Sequence, residues 1–134
     1  MRYLLDTNIC IYLIKQKSSI ILEKIKNAQP LGVGISSITL SELEYGVQKS
    51  TLIDRNALNL LQFLTLFNVV PFDESAARIY GKIRATLERK GQLIGGMDML
   101  IGAHSLSMNA ILVTNNIREF KRIDGLQLEN WTKE

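Results

Sequence analysis

Short apolar segments alternate along the chain with longer segments whose apolar residues recur at helical spacing. Five short segments have the length of strands and lie at 2–5, 33–36, 68–72, 110–113 and 127–131. Between them the pattern predicts helices beginning at 7 or 8 and ending near 15, beginning at 18 or 19 and closed by Pro30, and spanning 39–49, 54–67, 73–90 and 97–108. Parallel strands need crossover connections of about this length. We therefore predict an α/β fold in which a central, mostly parallel sheet is covered by helices on both faces.

The size and the cysteine content of the chain limit what it can be. Its 134 residues, 46% of them apolar, suffice for one compact domain, and we expect a single domain over 1–134. A lone cysteine, Cys10, excludes an internal disulfide and favours a reducing compartment. No apolar run approaches the roughly 20 residues of a spanning helix, and Asp6 interrupts the segment where a signal peptide needs unbroken hydrophobicity. We expect a cytoplasmic protein.

Four acidic residues fall where a parallel fold brings separate chain segments together. Asp6 follows the first strand, Glu42 lies in the helix after the second, and Glu119 lies just beyond the fourth. Asp98 is in the first turn of the helix that follows two glycines. Considered singly, Asp6 and Asp98 could be helix-capping residues, and Glu42 could be a solvent-exposed residue of a helix. Taken together, the four point to a cluster of carboxylates.

Such a cluster needs a neutralising partner. At about 5 Å and an effective dielectric near 20, each like-charge pair costs roughly 3 kcal/mol, so three pairs approach the stability of a small domain. Protons or a cation must offset this. Oxygen ligands without supporting cysteines favour Mg²⁺ or Mn²⁺ over zinc. Gly46, one turn after Glu42, costs about 1 kcal/mol in a helix; it either leaves room for substrate or packs closely against another helix.

Four motifs, taken in order, resemble those of PIN domains. They are Leu5-Asp6-Thr7-Asn8, then Ser41-Glu42-Leu43 with Gly46, then Ile94-Gly95-Gly96-Met97-Asp98, and Thr114-Asn115-Asn116-Ile117-Arg118-Glu119-Phe120. Over essentially its whole length the chain is similar to the VapC-type ribonuclease toxins of bacterial toxin–antitoxin pairs. The resemblance implies a PIN-like three-layer α/β/α sandwich and a Mg²⁺-dependent endoribonuclease, with Mn²⁺ as a substitute.

The resemblance also implies roles for individual residues. Asp6, Glu42 and Asp98 match the metal-binding acids of the family, and Glu119 takes a fourth acidic position that is Asp in many relatives. The residues expected to support these catalytic acids are Thr7, Asn8, Thr114 and Asn116. Of these, Asn8 and Thr114 match positions that orient the first carboxylate. Asn116 stands where some relatives carry another acid, and Thr7 either assists the metal-bound water or caps the helix.

The expected reaction and partners follow from the same resemblance. No histidine pair or base able to activate a 2′-hydroxyl is evident, so the expected nucleophile is a metal-activated water, and the products carry 5′-phosphate and 3′-hydroxyl ends. The resemblance ranks tRNA first among substrates and implies a VapB-type antitoxin and a toxin homodimer. The helix at 54–67 is apolar around much of its circumference, which indicates either dimerisation or a deeply buried core helix.

The net charge of +3 is a mild excess that many enzymes share. Basic residues near the expected site would supply phosphate contacts, or would merely be solvated ends of helices. The candidates for RNA binding are Lys15, Lys17, Arg84, Arg89, Lys90 and Arg118.

Two other functions compete with the nuclease. In an aspartate-based phosphatase or phosphotransfer domain a second Asp follows two residues after the first, but here that residue is Asn8, and no lysine directly follows Thr114. A non-catalytic PIN module that binds nucleic acid is disfavoured because all the key acids are present. His104 lies among apolar residues and is expected to be structural rather than a general base, and Cys10 is expected to be a core residue.

Overall fold

The computed structural model of the protein describes residues 1–16 and 19–132, and its centre is a sheet of parallel strands. The strands are β1 (Tyr3–Leu5), β2 (Val33–Ser36), β3 (Asn68–Val70), β4 (Ile111–Val113) and β5 (Gln127–Glu129). Their spatial order is β3-β2-β1-β4-β5, and each described pair is parallel. All five lie within the segments predicted from the apolar pattern, so the α/β prediction is confirmed.

The helices occupy the predicted intervals to within about two residues at each end, with two larger differences. They are α1 (Thr7–Gln16), α2 (Ser19–Ala28), α3 (Ser37–Gln48), α4 (Ile53–Leu64), α5 (Glu74–Arg89), α6 (Gly96–Ser107) and α7 (Ile117–Phe120). Helix α4 ends three residues earlier than predicted, because the amides of Leu66 and Phe67 bond carbonyls three residues back and tighten the chain into turns. Helix α7 was not predicted, since four residues are too few to show a period. The Ser18 cap lies outside the described residues.

The two apolar cores lie on opposite faces of the sheet and make three layers. Successive residues of a strand point to opposite faces, so Leu5 packs with α1–α4 whereas Leu4 packs with α5–α7. Val113 and Leu112 of β4 divide in the same way. Cys10 is fully buried in the first core, as expected of a small core residue. The chain is therefore a three-layer α/β/α sandwich.

Helix α4 is buried on one side only. Leu60 and Phe63 are in the core, whereas Leu58 and Leu61 are 54% and 62% exposed. The alternative of a deeply buried core helix is therefore wrong, and an apolar face of α4 lies open. None of the helices in the described ranges combines the length and the apolar character needed to cross a bilayer.

Parallel pairing brings the functional loops to one edge of the sheet. Leu5 pairs with Val113, so the residues that follow these two strands are neighbours. The amide of Asp6 donates a hydrogen bond to the carbonyl of Val113 at 2.9 Å and extends this pairing by one residue. Strand β2 runs directly into α3, which carries Glu42 past the same edge.

Candidate active site

A cleft of about 1120 Å³ opens at the carboxyl edge of the sheet. Its lining comes from α1, α3, α4 and the first turn of α6. Three carboxylates line it together and form what we call the acidic floor: Asp6, Glu42 and Asp98. This is the location expected for a ligand site in a parallel sheet.

Asp6 is held at both of its carboxylate oxygens. Its side chain is buried; Oδ1 accepts a hydrogen bond from the amide of Thr7, and Oδ2 accepts one from Thr114 Oγ1, each at 2.8 Å. The amide of Asn116 in turn donates to Thr114 Oγ1 at 2.9 Å. Burial raises the pKa of Asp6, the two hydrogen bonds oppose that rise, and the charge of Glu42 adds a small rise. The predicted contact between Thr114 and the first carboxylate is therefore present.

Glu42 is tied to the same region through Thr7. Thr7 Oγ1 donates to Glu42 Oε1 at 2.7 Å and lies 3.1 Å from Oγ1 of Thr39. Thr7 therefore contacts Asp6 through its amide and Glu42 through its hydroxyl. Sequence reasoning did not identify Thr39, although its position three residues before Glu42 places both on one face of α3.

Asp98 experiences the charge of the other acids. Burial raises its pKa to about 6, and the charges of Asp6, Glu119 and Glu42 contribute to that rise in this order. The amides at the start of α6 would favour a negative charge here, so the rise occurs against the helix dipole. A Cβ at Gly95 would lie 3.4 Å from Asp98 Oδ2, which shows how closely this carboxylate approaches the backbone. All four predicted acids thus interact electrostatically in one region.

The acids fit a hard divalent cation by their donor chemistry, although they are not assembled around a ligand position. Among the described residues, no three His, Cys, Asp or Glu side chains are grouped as a metal ion would require. The ion pairs Arg78–Glu74, Arg84–Glu88 and Lys90–Asp124 lie elsewhere in the part of the chain that the structure describes. None of these three pairs brings a cation to the acidic floor, whose like charges repel one another. Carboxylate oxygens are the ligands that Mg²⁺ and Mn²⁺ prefer.

Positive charge lines the same cleft. We call this surface the cationic wall; its residues are Lys15, Tyr45, Lys49 and Arg55. Tyr45 is 66% exposed, and Lys49 Nζ lies 5.1 Å from the centre of its ring, within the range of a cation–π contact. Of these residues, only Lys15 was a sequence candidate. The spacing of four between Tyr45 and Lys49 was the available signal, whereas Arg55 reaches the cleft only because α3 and α4 pack together.

The remaining basic candidates lie apart from that wall. Arg84 and Arg89 are on α5 and Lys90 caps it, in the helical layer on the opposite face of the sheet. Arg84 bonds to Tyr80 and Glu88 of its own helix. Arg118 is in α7 beside Glu119, and Lys17 lies outside the described residues. A role of these residues in RNA binding stays a prediction.

The surroundings of Gly46 and Asn8 bear on the roles predicted for them. A Cβ at Gly46 would meet nothing within 4 Å, so close packing against another helix does not explain this glycine, and the space beside Glu42 is open. Asn8 is exposed on the cleft lining, while both oxygens of Asp6 are bonded to Thr7 and Thr114. A role of Asn8 in orienting the first carboxylate stays a prediction.

His104 has a structural environment. It is buried, its Nδ1 lies 2.7 Å from Ser36 Oγ, and its ring makes a T-shaped contact with that of Phe72 at a centroid distance of 5.5 Å. Burial lowers its pKa. The expectation of a structural histidine is confirmed.

Comparison with known proteins identifies the family. The sequence model of the PIN-domain family matches residues 3–126 of this chain. The chain is 45% identical to ribonuclease VapC2 of Rickettsia felis, over 99% of this chain and 100% of the relative. It is 42% identical to the tRNA(fMet)-specific endonuclease VapC of Shigella flexneri, over 98% and 99% of the two chains.

Solved structures agree with the sequence matches. VapBC2 from Rickettsia felis, bound to a DNA fragment from its promoter, matches with a TM-score of 0.95 and 43% identity, covering 98% of this chain and 99% of the other. DNA-bound VapBC from Salmonella typhimurium matches with a TM-score of 0.94 and 42% identity, covering 98% of each chain. The chain belongs to the PIN-domain family and, within it, to the VapC ribonucleases.

Proposed function

We propose that this protein is the toxin of a toxin–antitoxin pair and a divalent-metal-dependent endoribonuclease that hydrolyses phosphodiester bonds of tRNA. The observation that carries the proposal is the convergence of Asp6, Glu42 and Asp98 on one cleft at the carboxyl edge of the sheet. The choice of tRNA is supported by the VapC relative from Shigella flexneri, whose name specifies tRNA(fMet). The proposal places the enzyme in the cytoplasm, where tRNA is used, as a single domain over residues 1–134.

The metal of this proposal is Mg²⁺, with Mn²⁺ as a substitute. Asp6, Glu42 and Asp98 would hold it, and Glu119 would add charge from α7. When bound, the ion would act as a Lewis acid that lowers the pKa of a water nucleophile and offsets negative charge on the phosphate.

The protein's own residues supply position and charge. Thr7 and Thr114 fix the Asp6 carboxylate in a buried orientation, so little conformational freedom is lost on forming the site. Asp98, with a pKa of about 6, is mostly ionised at pH 7. Lys49 and Arg55 of the cationic wall contact phosphates flanking the scissile one and offset the repulsion that the acidic floor exerts on RNA. The expected products have 5′-phosphate and 3′-hydroxyl ends.

The proposed partners are a VapB-type antitoxin and a second copy of the toxin. Solved relatives from Rickettsia felis and Salmonella typhimurium are VapBC complexes, which supports the antitoxin. The exposed leucines of α4, Leu58 and Leu61, leave an apolar surface that a second copy would cover.

Cleavage of purified tRNA by the full chain tests this function. With Mg²⁺ the wild type should cut, chelation should stop it, and Asp6→Asn and Asp98→Asn should each reduce the rate by about 100-fold or more while keeping the native circular dichroism spectrum. Asp124→Asn, which removes an exposed acid paired with Lys90, is the matched control and should cut normally.

Two results would contradict the proposal. Undiminished cutting by both site variants would assign the activity to another site, and a 2′,3′-cyclic phosphate on the products would reject attack by water. A wild type that binds tRNA without ever cutting it would support the non-catalytic alternative. The aspartyl-phosphate alternative is set aside by membership of the PIN family.

A further inference from the structure

Two threonine hydroxyls form a chain that ends on Glu42. Thr39 Oγ1 lies 3.1 Å from Thr7 Oγ1, which lies 2.7 Å from Glu42 Oε1. Thr39 is fully buried and Thr7 is 7% exposed. Thr39 lines neither the cleft nor the acidic floor, so its hydroxyl reaches the site only through Thr7.

The directions of the hydrogen bonds follow from counting protons. Each hydroxyl carries one proton, and an ionised carboxylate only accepts. The proton of Thr7 is therefore committed to Glu42, and the contact between the two hydroxyls requires Thr39 to donate to Thr7. A bond of this length to a charged oxygen is of the strong kind, and the second hydroxyl polarises the first.

Among the residues that the structure describes, the hydrogen bond from Thr7 is the one that holds the Glu42 side chain in this orientation. Asp6 repels it, and position 46, one turn later on the same helix, is a glycine with open space beside it. The glutamate side chain has three rotatable bonds, so an unrestrained Glu42 would lose conformational entropy on binding an ion. Thr7 also donates its amide to Asp6, and thus connects two acids that are far apart in the sequence.

We infer that Thr39 and Thr7 form a positioning pair that sets the orientation of Glu42 before a divalent ion binds, an inference that rests on the proposed function. Thr39 acts through Thr7 and touches neither the ion nor RNA. Removing either hydroxyl weakens binding of the ion, and removing both is no worse than removing that of Thr7.

Calorimetric titration of the full chain with Mn²⁺ alone, without RNA, tests this pair. Thr7→Val should weaken Mn²⁺ binding by about 10- to 100-fold and Thr39→Val by about 10-fold, within the range for residues that orient metal ligands. The double variant should match Thr7→Val, because coupled residues are not additive. Thr7→Ser and Thr39→Ser keep the hydroxyls and should stay within about threefold of the wild type.

The control removes a buried hydroxyl elsewhere. Ser105 Oγ donates to the carbonyl of Ala110 at 3.1 Å, and Ser105→Ala should lower the melting temperature and leave Mn²⁺ affinity unchanged. If Thr7→Val and Thr39→Val behave like Ser105→Ala, the pair is structural only and the inference is overturned. Saturating Mn²⁺ should also restore tRNA cleavage by Thr39→Val, a recovery that a misfolded variant would not show.

The wild type separates this inference from the proposed function. If the wild type binds Mn²⁺ and the threonine variants bind it more weakly in the predicted order, but the wild type never cuts tRNA, the proposed function fails and the positioning pair stands. If it cuts tRNA and the threonine variants bind Mn²⁺ normally, the pair fails and the function stands. A wild type that binds no Mn²⁺ overturns both.

Discussion

The acidic floor and the cationic wall face the same cleft but are built in different ways. In the floor, Asp6 is buried, and its orientation is set by two hydrogen bonds at the ends of paired strands. In the wall, Lys49 at the end of α3 and Arg55 in α4 are exposed, and the described contact of the Lys49 side chain is with the ring of Tyr45. Fixed placement suits the chemical step, whereas exposed charge suits the binding of a flexible polyanion. Changes in the floor should therefore alter turnover, and changes in the wall should alter affinity and salt dependence.

The largest expected effect comes from changing an acid of the floor, which should lower activity and raise stability. Asp98→Asn should reduce tRNA cleavage by about 100-fold or more, yet it should stabilise the metal-free protein at pH 7 by about 1–2 kcal/mol. The stability gain is the raised pKa of about 6 converted to free energy and reduced for solvent screening. Urea denaturation in the presence of a chelator measures it. A metal-free variant that is no more stable than the wild type would show that Asp98 is not strained by its neighbours.

The pH dependence of the metal-free protein should show the same strain. Because the pKa of Asp98 in the folded chain lies above its ordinary value of 3.8, the folded state holds this proton more tightly than the unfolded state. The contribution of protonated Asp98 to the stability of the folded state is therefore present below about pH 4 and is lost as the pH rises through about 6. Denaturation midpoints at pH 5 and pH 7 for the wild type and Asp98→Asn measure this contribution. The loss of stability between the two pH values that is due to Asp98 should be absent in the variant.

Removal of the Thr114 hydroxyl should weaken the floor without removing an acid. Thr114→Val deletes the donor to Asp6 Oδ2, and we expect cleavage to fall by about 10- to 100-fold and stability by about 1–3 kcal/mol. Steady-state kinetics at saturating tRNA measures the first effect. Thr65→Val, at an exposed position where the hydroxyl bonds a local carbonyl, is the control. Equal turnover of the two variants would mean that the orientation of Asp6 does not matter.

On the wall, Lys49→Gln combined with Arg55→Gln should raise KM for tRNA by about tenfold and leave kcat unchanged. The slope of log KM against log salt should fall by roughly 1.5, since each phosphate contact contributes about 0.7–0.9. The matched variant is Arg84→Gln with Lys90→Gln, which removes two charges from the opposite face. If this second pair changes the slope and the first does not, RNA follows α5 and the wall is wrongly assigned.

The smallest expected effect concerns Gly46, which lies between floor and wall. Gly46→Ala should stabilise α3 by about 1 kcal/mol, because the added Cβ meets nothing within 4 Å. Gly46→Leu should keep much of that stability but lower kcat/KM by filling the cleft beside Glu42. Thermal melts and cleavage rates compare the two variants. Equal cleavage by both would show that RNA does not use this space.

The fold and the floor were largely predictable from the sequence, whereas of the wall only Lys15 was predicted. Strand-length apolar runs and helical spacing placed all five strands. Asp6 was found because it directly follows a strand, and Asp98 because it lies in the first turn of a helix that follows two glycines. Those signals are local. Arg55 joins the cleft only when α3 and α4 pack, and Thr39 matters only through a contact with Thr7, 32 residues away. No local pattern carries either fact.

The central claim is that the acidic floor binds one divalent ion through carboxylates brought together from separate segments. Diffraction from crystals grown with Mn²⁺, recorded at the manganese absorption edge, tests it most directly. We expect an anomalous peak in the cleft, within about 2.0–2.3 Å of oxygens from Asp6, Glu42 and Asp98. Crystals saturated with Mn²⁺ in which the three carboxylates point apart and the cleft shows no peak would contradict it.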